Sequence, residues 1–206
     1  MDQSHLLYQQ EVSGLFGIHN HPDAAKLTCF GLYALQHRGQ KGAGIVVSDG
    51  SETLQHKGIG LLPEVFTEKA LGYLSGHVSL GTVWSSINKT DSSLDLRPFT
   101  AYHKGRTISV ANNGNLINTG PLRMKLQKEG DIFHSSIQSE VIAHLLARCG
   151  EAELGATLTS IFTEIQGAYS MLLLIDDRLV AVRDPHGFRP LCLGTLGEGS
   201  HVVASE

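Results

Sequence analysis

The stretch Ser13-Gly14-Leu15-Phe16-Gly17-Ile18 begins the first apolar run of a chain of 206 residues. Short apolar runs bounded by polar segments are typical of buried β-strands. Residues 1–12 are polar and are predicted to form a leader. If that leader is removed, the Ser13 hydroxyl can act as a nucleophile with its own α-amine as base, because such an amine titrates near a pH of about 7.7–8.0. The alternative is that Ser13 simply begins a strand.

The composition is that of an ordinary folded protein. The chain is 41% hydrophobic and 17% charged, which suffices for one substantial core. A net charge of -4 argues against nucleic acids and anionic membranes as partners. We expect a cytoplasmic protein, because no apolar run is long enough to span a membrane and the N-terminus lacks the features of a signal peptide.

The spacing of cysteines and histidines gives no sign of a metal site. Cys29, Cys149 and Cys192 are an odd number of thiols without the spacing of metal ligands, so we predict that they are reduced and packed. The eleven histidines are scattered, and none pairs with another at i, i+4 beside a carboxylate. We therefore expect neither a metal nor a cofactor.

Apolar periodicity and turn-forming residues predict strands at both ends of the chain and helices between them. Asp23 is placed to cap a first helix, Asp49-Gly50 is typical of a hairpin turn, and residues 62–70 are predicted as a short helix. The types of residues in Asn112-Asn113-Gly114-Asn115 predict a turn. The polar segment 85–95 is predicted as a mobile loop. This order favours an α+β architecture in one domain, with antiparallel sheets covered by helices.

Seven segments resemble, in order and spacing, the N-terminal glutaminase domain of the amidophosphoribosyltransferase family. They are SGLFGI (13–18), QHRGQKGAGI (36–45), HKGIGLLPEVF (56–66), ANNGNLIN (111–118), SEVIAHLL (139–146), GAYSMLLL (167–174) and RDPHGFRPLCLG (183–194). The resemblance runs from Ser13 to Glu206. It implies the N-terminal-nucleophile hydrolase fold, a four-layer αββα sandwich of two antiparallel sheets.

The resemblance also implies chemistry and partners. In active members a cysteine, exposed in some by removal of a short leader, attacks the side-chain amide of glutamine and releases ammonia. A phosphoribosyltransferase domain uses that ammonia in the first step of purine nucleotide synthesis. Nothing in the sequence resembles that second domain, so we expect a leader at 1–12 and a glutaminase-like domain at 13–206. The expected partners are a phosphoribosyltransferase domain or subunit and further copies of the chain in a homo-oligomer.

Five positions match the part of the family's site that surrounds the reacting amide. Ser13 stands where the family has its nucleophilic cysteine, and a hydroxyl is a weaker nucleophile than a thiol near neutral pH. Asn113 and Gly114 match the oxyanion hole, where losing one donor costs on the order of 10²–10³ in rate. Arg38 and Gly39 match the glycine-rich segment beside the nucleophile, for which a purely structural role is an equally open interpretation.

Two further positions depart from the family where it holds the head group of glutamine. Ser79 stands where the family has an arginine that grips the α-carboxylate, and Gln138 where it has an aspartate that pairs with the α-ammonium. Losing one charged hydrogen bond costs about 1.5–3 kcal/mol, so both losses would weaken glutamine capture by about 10²–10⁴. Asn112 replaces a histidine, and Trp84 lies in the loop that closes over glutamine in family members.

Two functions remain open. The first is a domain that has lost glutaminase activity and serves as a structural or regulatory part of an amidophosphoribosyltransferase. The second is an active hydrolase that uses Ser13 on glutamine or on another small amide, such as one without an amino-acid head group. Only the second function requires a free α-amine on Ser13.

Overall fold

The computed structural model describes residues 12–85, 95–148, 154–197 and 199–206. Within these ranges the chain forms two antiparallel sheets and six α-helices. The predicted loop 85–95 falls outside the described residues except at its two ends.

The larger sheet contains the predicted strand that begins near Ser13. Its strands are β1 (Val12–His19), β2 (Gly42–Ser48), β3 (Thr53–Ile59), β4 (Val78–Ser85), β9 (Cys192–Gly197) and β10 (Ser200–Ala204). They lie in the order β3-β2-β4-β1-β10-β9, and every neighbouring pair is antiparallel. Strand β1 is therefore an interior strand, hydrogen-bonded on both edges.

The smaller sheet has four strands in sequence order. They are β5 (Phe99–His103), β6 (Arg106–Leu116), β7 (Gly167–Ile175) and β8 (Arg178–Arg183), and again all neighbours are antiparallel. The two sheets stack face to face through an apolar cluster that includes Leu15, Leu80, Leu172 and Leu174. The end of this layer between the sheets is where Ser13 lies.

Helices cover the outer face of each sheet. They are α1 (Ala24–Ala34), α2 (Leu62–Val65), α3 (Glu68–Tyr73), α4 (Thr119–Lys128), α5 (Gln138–Arg148) and α6 (Leu154–Glu164). One apolar cluster joins the helices α1 to α3 and their flanking residues to the larger sheet, and another joins α4, α5 and α6 to the smaller sheet. The predicted four-layer αββα sandwich is confirmed. No helix among the described residues is long and apolar enough to cross a membrane.

The predicted turn at Asn112–Asn115 is wrong. Strand β6 continues through these residues to Leu116, each opposite a residue of β7. Gly114 has φ +123°, and a Cβ there would lie 2.1 Å from the carbonyl oxygen of Ala168. The glycine is needed because β7 approaches so closely, and pairing with β7 outweighs the turn preference of the asparagines.

Smaller differences have similar causes. The predicted helix at 62–70 divides into α2 and α3, and Asp23 precedes α1 without capping it, since its carboxylate binds Lys26 instead. Strands β5 and β9 were not predicted. Cys29 and Cys192 are free thiols, but Cys192 is exposed on an edge strand, so its predicted packing is wrong; Cys149 lies outside the described residues.

Asp184 organises the crossover from β8, at the edge of the smaller sheet, to β9, at the edge of the larger one. Its carboxylate is only 3% exposed and accepts four backbone N–H groups. Those of His186 and Phe188 bind Oδ1 at 3.0 and 3.2 Å, and those of Tyr169 and Arg189 bind Oδ2 at 3.3 Å. Burial alone would raise the pKa of Asp184, but the four donors together hold it below its usual value.

Replacing Asp184 with asparagine should lower the free energy of unfolding by about 3 kcal/mol, because an amide nitrogen must then face N–H donors that a carboxylate satisfies. Urea denaturation at neutral pH measures this loss. Asp177, which is exposed at the opposite end of β8, provides the matched control, since Asp177→Asn should change stability by less than about 0.5 kcal/mol. Equal effects of the two substitutions would show that the crossover does not depend on Asp184.

Candidate active site

Ser13 is buried between the two sheets. Side chains alternate along β1, so Ser13 leaves the strand on the same face as Leu15, which belongs to the apolar cluster between the sheets. Ser13 is 0% exposed and lies opposite Trp84 of β4. Its hydroxyl makes no hydrogen bond within the described part of the chain. Most buried hydroxyls are hydrogen-bonded, and Ser13 shares this exception with Ser139.

Asn113 of β6 reaches Ser13 from the opposite sheet. Its Oδ1 accepts the backbone N–H of Ser13 at 3.3 Å, and its Nδ2 donates to Oγ of Ser170 at 3.2 Å. Because an N–H group can only donate, the carboxamide oxygen must face Ser13 and the nitrogen must face Ser170. The structure thus brings Asn113 to Ser13, with the carboxamide oxygen toward Ser13 and one of the two N–H bonds of Asn113 already used within the protein.

The backbone N–H of Gly114 points away from the ladder between β6 and β7. Gly114 lies opposite Tyr169, whose own N–H and C=O are both bonded to Asp184. Opposite residues in an antiparallel pair either exchange both bonds or neither, so Gly114 directs its backbone groups toward the other edge of β6. There its C=O accepts Nδ2 of Asn112 at 3.2 Å. An N–H outside the ladder is what an oxyanion donor requires.

Gln138, the first residue of α5, lies at the end of the same strand. Its Oε1 accepts the N–H of Leu116 at 2.9 Å, while its Nε2 donates to the Leu116 carbonyl at 2.9 Å and to Oδ1 of Asn115 at 3.0 Å. The side chain is 8% exposed. Gln138 therefore lies near Asn113 and Gly114, and both ends of its uncharged carboxamide are bound to β6.

Ser79 is not part of this arrangement. It lies in β4 opposite Ile18, whereas the β4 partner of Ser13 is Trp84. Its hydroxyl is buried against α1, 2.5 Å from Oγ1 of Thr28 and donating to the carbonyl of Ala24 at 3.0 Å. Ser79 thus faces the helical layer, on the opposite side of the sheet from Ser13. A serine here cannot reach a ligand beside Ser13.

Arg38 and Gly39 follow α1 and border the end of β1. Arg38 ends a short 3₁₀ helix, and its Nε lies 3.7 Å from a carboxylate oxygen of Glu206. A Cβ on Gly39 would lie 2.3 Å from the backbone nitrogen of Trp84, so only glycine lets the chain lie against β4. The close approach of the backbone accounts for Gly39 without any ligand.

Comparison with known proteins identifies the family of this fold and site. The sequence profile of a family described as a glutamine amidotransferase domain matches residues 85–206. The chain belongs to the glutamine amidotransferase family.

Relatives of the glutamine amidotransferase domain include amidophosphoribosyltransferase 2, chloroplastic, of Arabidopsis thaliana. It is 41% identical over 198 residues, which are 96% of this chain and 35% of the relative. The amidophosphoribosyltransferase of Staphylococcus aureus strain N315 is 39% identical over 197 residues, 95% of this chain and 40% of the relative. The chain thus spans about two fifths of the length of these relatives.

Solved structures agree with this assignment. The glutamine phosphoribosylpyrophosphate amidotransferase of B. subtilis, complexed with ADP and GMP, has a TM-score of 0.85 and 37% identity, covering 94% of this chain and 42% of that one. A glutamine aminotransferase class-II domain protein from Silicibacter pomeroyi, with 14% identity and a TM-score of 0.56, shares the fold. The glutamine amidotransferase domain described here therefore has the N-terminal-nucleophile hydrolase fold.

Trp84 forms a wall of the glutamine amidotransferase domain rather than part of a loop. It belongs to β4, is 1% exposed, and its ring lies over Gly42, where a Cβ would be 2.3 Å from the ring. The guanidinium of Arg97 lies 5.8 Å from the ring centroid. Sequence reasoning missed both Arg97, which lies outside the segments that resemble the family, and Ser170, which lies within one of them but meets Asn113 only once β6 and β7 have paired.

Lys57 of β3 binds the residue that follows Arg97. Its ammonium group donates to the carbonyl of Pro98 at 2.6 Å, and Gly44 beside it lets the carbonyl of Arg97 approach the sheet. Burial lowers the pKa of Lys57 from 10.5 to about 8. The segment that begins at Asp95 is thus held against the larger sheet by a half-buried amine.

Lys57 should contribute a stability that rises between pH 8 and 10.5, measured relative to a variant that lacks this amine. In that range the unfolded chain still holds the Lys57 proton and the folded chain has released it, so the free energy of unfolding increases with pH by up to about 3 kcal/mol. Urea denaturation across this range measures the increase. It should vanish in Lys57→Met and persist in Lys128→Met, which removes an exposed amine.

Proposed function

We propose that this domain has lost glutaminase activity and serves as a structural or regulatory part of an amidophosphoribosyltransferase of purine nucleotide synthesis. The support for the pathway is the 37–42% identity to full amidophosphoribosyltransferases over almost the whole chain. The proposed organisation is a leader at 1–12 and a glutaminase-like domain at 13–206. A phosphoribosyltransferase domain or subunit, in a homo-oligomer in the cytoplasm, would be the partner.

The observation that carries the loss of activity is the environment of Gln138. An α-ammonium group needs a carboxylate or several free acceptors to replace its water. Gln138 has no charge, and its only acceptor, Oε1, takes the N–H of Leu116. A ligand ammonium would have to break that bond and leave a backbone N–H unsatisfied, which costs about 1–3 kcal/mol in addition to the missing ion pair.

The position that would bind the α-carboxylate of glutamine, Ser79, is also unsuited to it. Ser79 is buried on the far face of β4 and is bonded to α1. A neutral hydroxyl would in any case replace two charge-assisted hydrogen bonds by one ordinary bond. The proposed loss of glutaminase activity thus rests on both ends of the head group, and the change from thiol to hydroxyl at Ser13 lowers the reactivity further.

A second function is favoured by the part of the site that surrounds Ser13. The unbonded hydroxyl of Ser13, the nearby Asn113 carboxamide and the free-edge N–H of Gly114 together resemble a nucleophile with its oxyanion donors. This half would suit an N-terminal-nucleophile hydrolase for a small amide without an amino-acid head group. It would require Ser13 to be the first residue, because only a free α-amine can serve as the base.

Glutamine titration and an ammonia-release assay on the purified chain test the first proposal, after intact-mass measurement has shown whether residues 1–12 are retained. We expect the Kd for glutamine to be no lower than about 1 mM. We also expect the chain to release no more ammonia than the Ser13→Ala variant does. Ammonia release from glutamine that Ser13→Ala abolishes would overturn the loss of activity.

A screen of small amides on a chain that begins at Ser13 tests the second function. Hydrolysis should disappear in Ser13→Ala and fall by about 10²–10³ in Asn113→Ala. Ser85→Ala, at the end of the neighbouring strand, provides a control that should keep the activity. Hydrolysis that persists in Ser13→Ala would exclude Ser13 as the nucleophile.

A further inference from the structure

Two histidines stand side by side at the end of the larger sheet that is remote from Ser13. His19 is the last residue of β1, and His201 is the second residue of β10. They are directly opposite one another in the antiparallel register, and both are exposed. Opposite residues project from the same face of a sheet with Cβ atoms about 4.5–5.5 Å apart, so the two imidazoles share one patch of surface.

Neither imidazole is engaged in a polar contact with the described part of the protein. The ring centroids are 6.4 Å apart and the rings are inclined by 49°. Within the ranges that the structure describes, neither ring makes a hydrogen bond or an ion pair, unlike His144, which binds Asp131. Each neutral imidazole therefore offers a free nitrogen lone pair on the same side of the sheet.

The backbone beneath the pair is firmly held. Next to the histidines, Oγ of Ser200 donates to the carbonyl of Asn20 at 2.5 Å, and Nδ2 of Asn20 donates to the carbonyl of Gly199 at 3.3 Å. These bonds tie the end of β1 to the start of β10. The two ligands are thus carried on a rigid pair of strands, and only side-chain rotation is needed to adjust them.

The separation of the rings fits one shared metal ion. With a metal–nitrogen distance of about 2.0–2.1 Å, each ring centre lies about 3.2 Å from the metal, so two rings on one ion have centres about 4.5 Å apart at a right angle, about 5.2 Å apart at the tetrahedral angle and about 6.4 Å apart on opposite sides of the ion. The observed 6.4 Å lies within this range. The observed separation is that of two rings on opposite sides of a square-planar ion, and side-chain rotation that brings the ring centres about 1.2 Å closer gives the tetrahedral angle.

We propose that His19 and His201 form a two-histidine site for a divalent transition-metal ion, with Cu²⁺ bound more tightly than Ni²⁺ or Zn²⁺. Imidazole suits all three ions, and the general order of affinities places copper first. Water would complete the coordination, since no group of three or more His, Cys, Asp or Glu among the described residues is arranged to hold a metal. Spacing in the sequence could not reveal this site, because its ligands are joined only by strand pairing.

Titration of the full chain with CuCl₂, followed by calorimetry, tests the site. We expect His19→Ala and His201→Ala each to weaken the tightest Cu²⁺ binding by at least about tenfold, since losing even an outer partner of a ligand costs 10–100-fold in metal sites. Electron paramagnetic resonance should show coupling to two nitrogens in the wild type and to fewer in either variant.

His103→Ala is the control, because it removes a histidine of the other sheet and should leave Cu²⁺ affinity unchanged. The side chains of His19 and His201 are both exposed, so the His19→Ala and His201→Ala variants should keep the wild-type melting temperature without metal. Added Cu²⁺ should raise that temperature only when both histidines are present, because the ion then joins β1 to β10. Affinity equal to wild type in the His19→Ala, His201→Ala double variant would overturn the proposal.

Discussion

Strand β1 is buried on both faces, and this constraint decides where the other elements can lie. One face packs against α1 and the other against the second sheet. Glycine is required where these layers come closest: a Cβ on Gly17 would meet Leu172 and Leu179 at 3.1–3.2 Å, and a Cβ on Gly31 of α1 would lie 2.4 Å from the ring of Phe16. Side-chain alternation along β1 then divides its residues between a helical layer and the layer that contains Ser13.

The same alternation explains how much of the site was predictable. The resemblance located Ser13, Asn113 and Gly114, and the structure brings Asn113 to Ser13 through a hydrogen bond across the layer between the sheets. It also indicated Ser79, but a motif carries no information about which face of a strand a residue occupies. Ser79 faces α1, and only the structure shows that it lies on the opposite side of the sheet from Ser13.

The fold was predictable where local pattern and pairing agree. The strands around Ile45 and Leu172 and the helix around Ile142 are apolar segments of the kind that periodicity alone identifies. Sequence patterns failed where tertiary contacts override local preference, as in the asparagine-rich part of β6, and where a strand is short and exposed, as in β9. In those places pairing with a neighbouring strand supplies the stability, and a single sequence does not show which strand that neighbour will be.

The crossover at Asp184 has a consequence two strands away. The carboxylate of Asp184 accepts the N–H of Tyr169, and the backbone N–H of Asp184 donates to the Tyr169 carbonyl, so both backbone groups of Tyr169 are used away from β6 and Gly114 has no partner in β7. The register of β6 against β7 sets which peptide groups of β6 point out of the ladder, and Asp184 binds the groups of Tyr169 that this register turns away from β6. The same register therefore leaves one edge of Gly114 open and gives Asp184 its bonds to Tyr169, so the crossover and the open edge of β6 are two results of a single strand alignment.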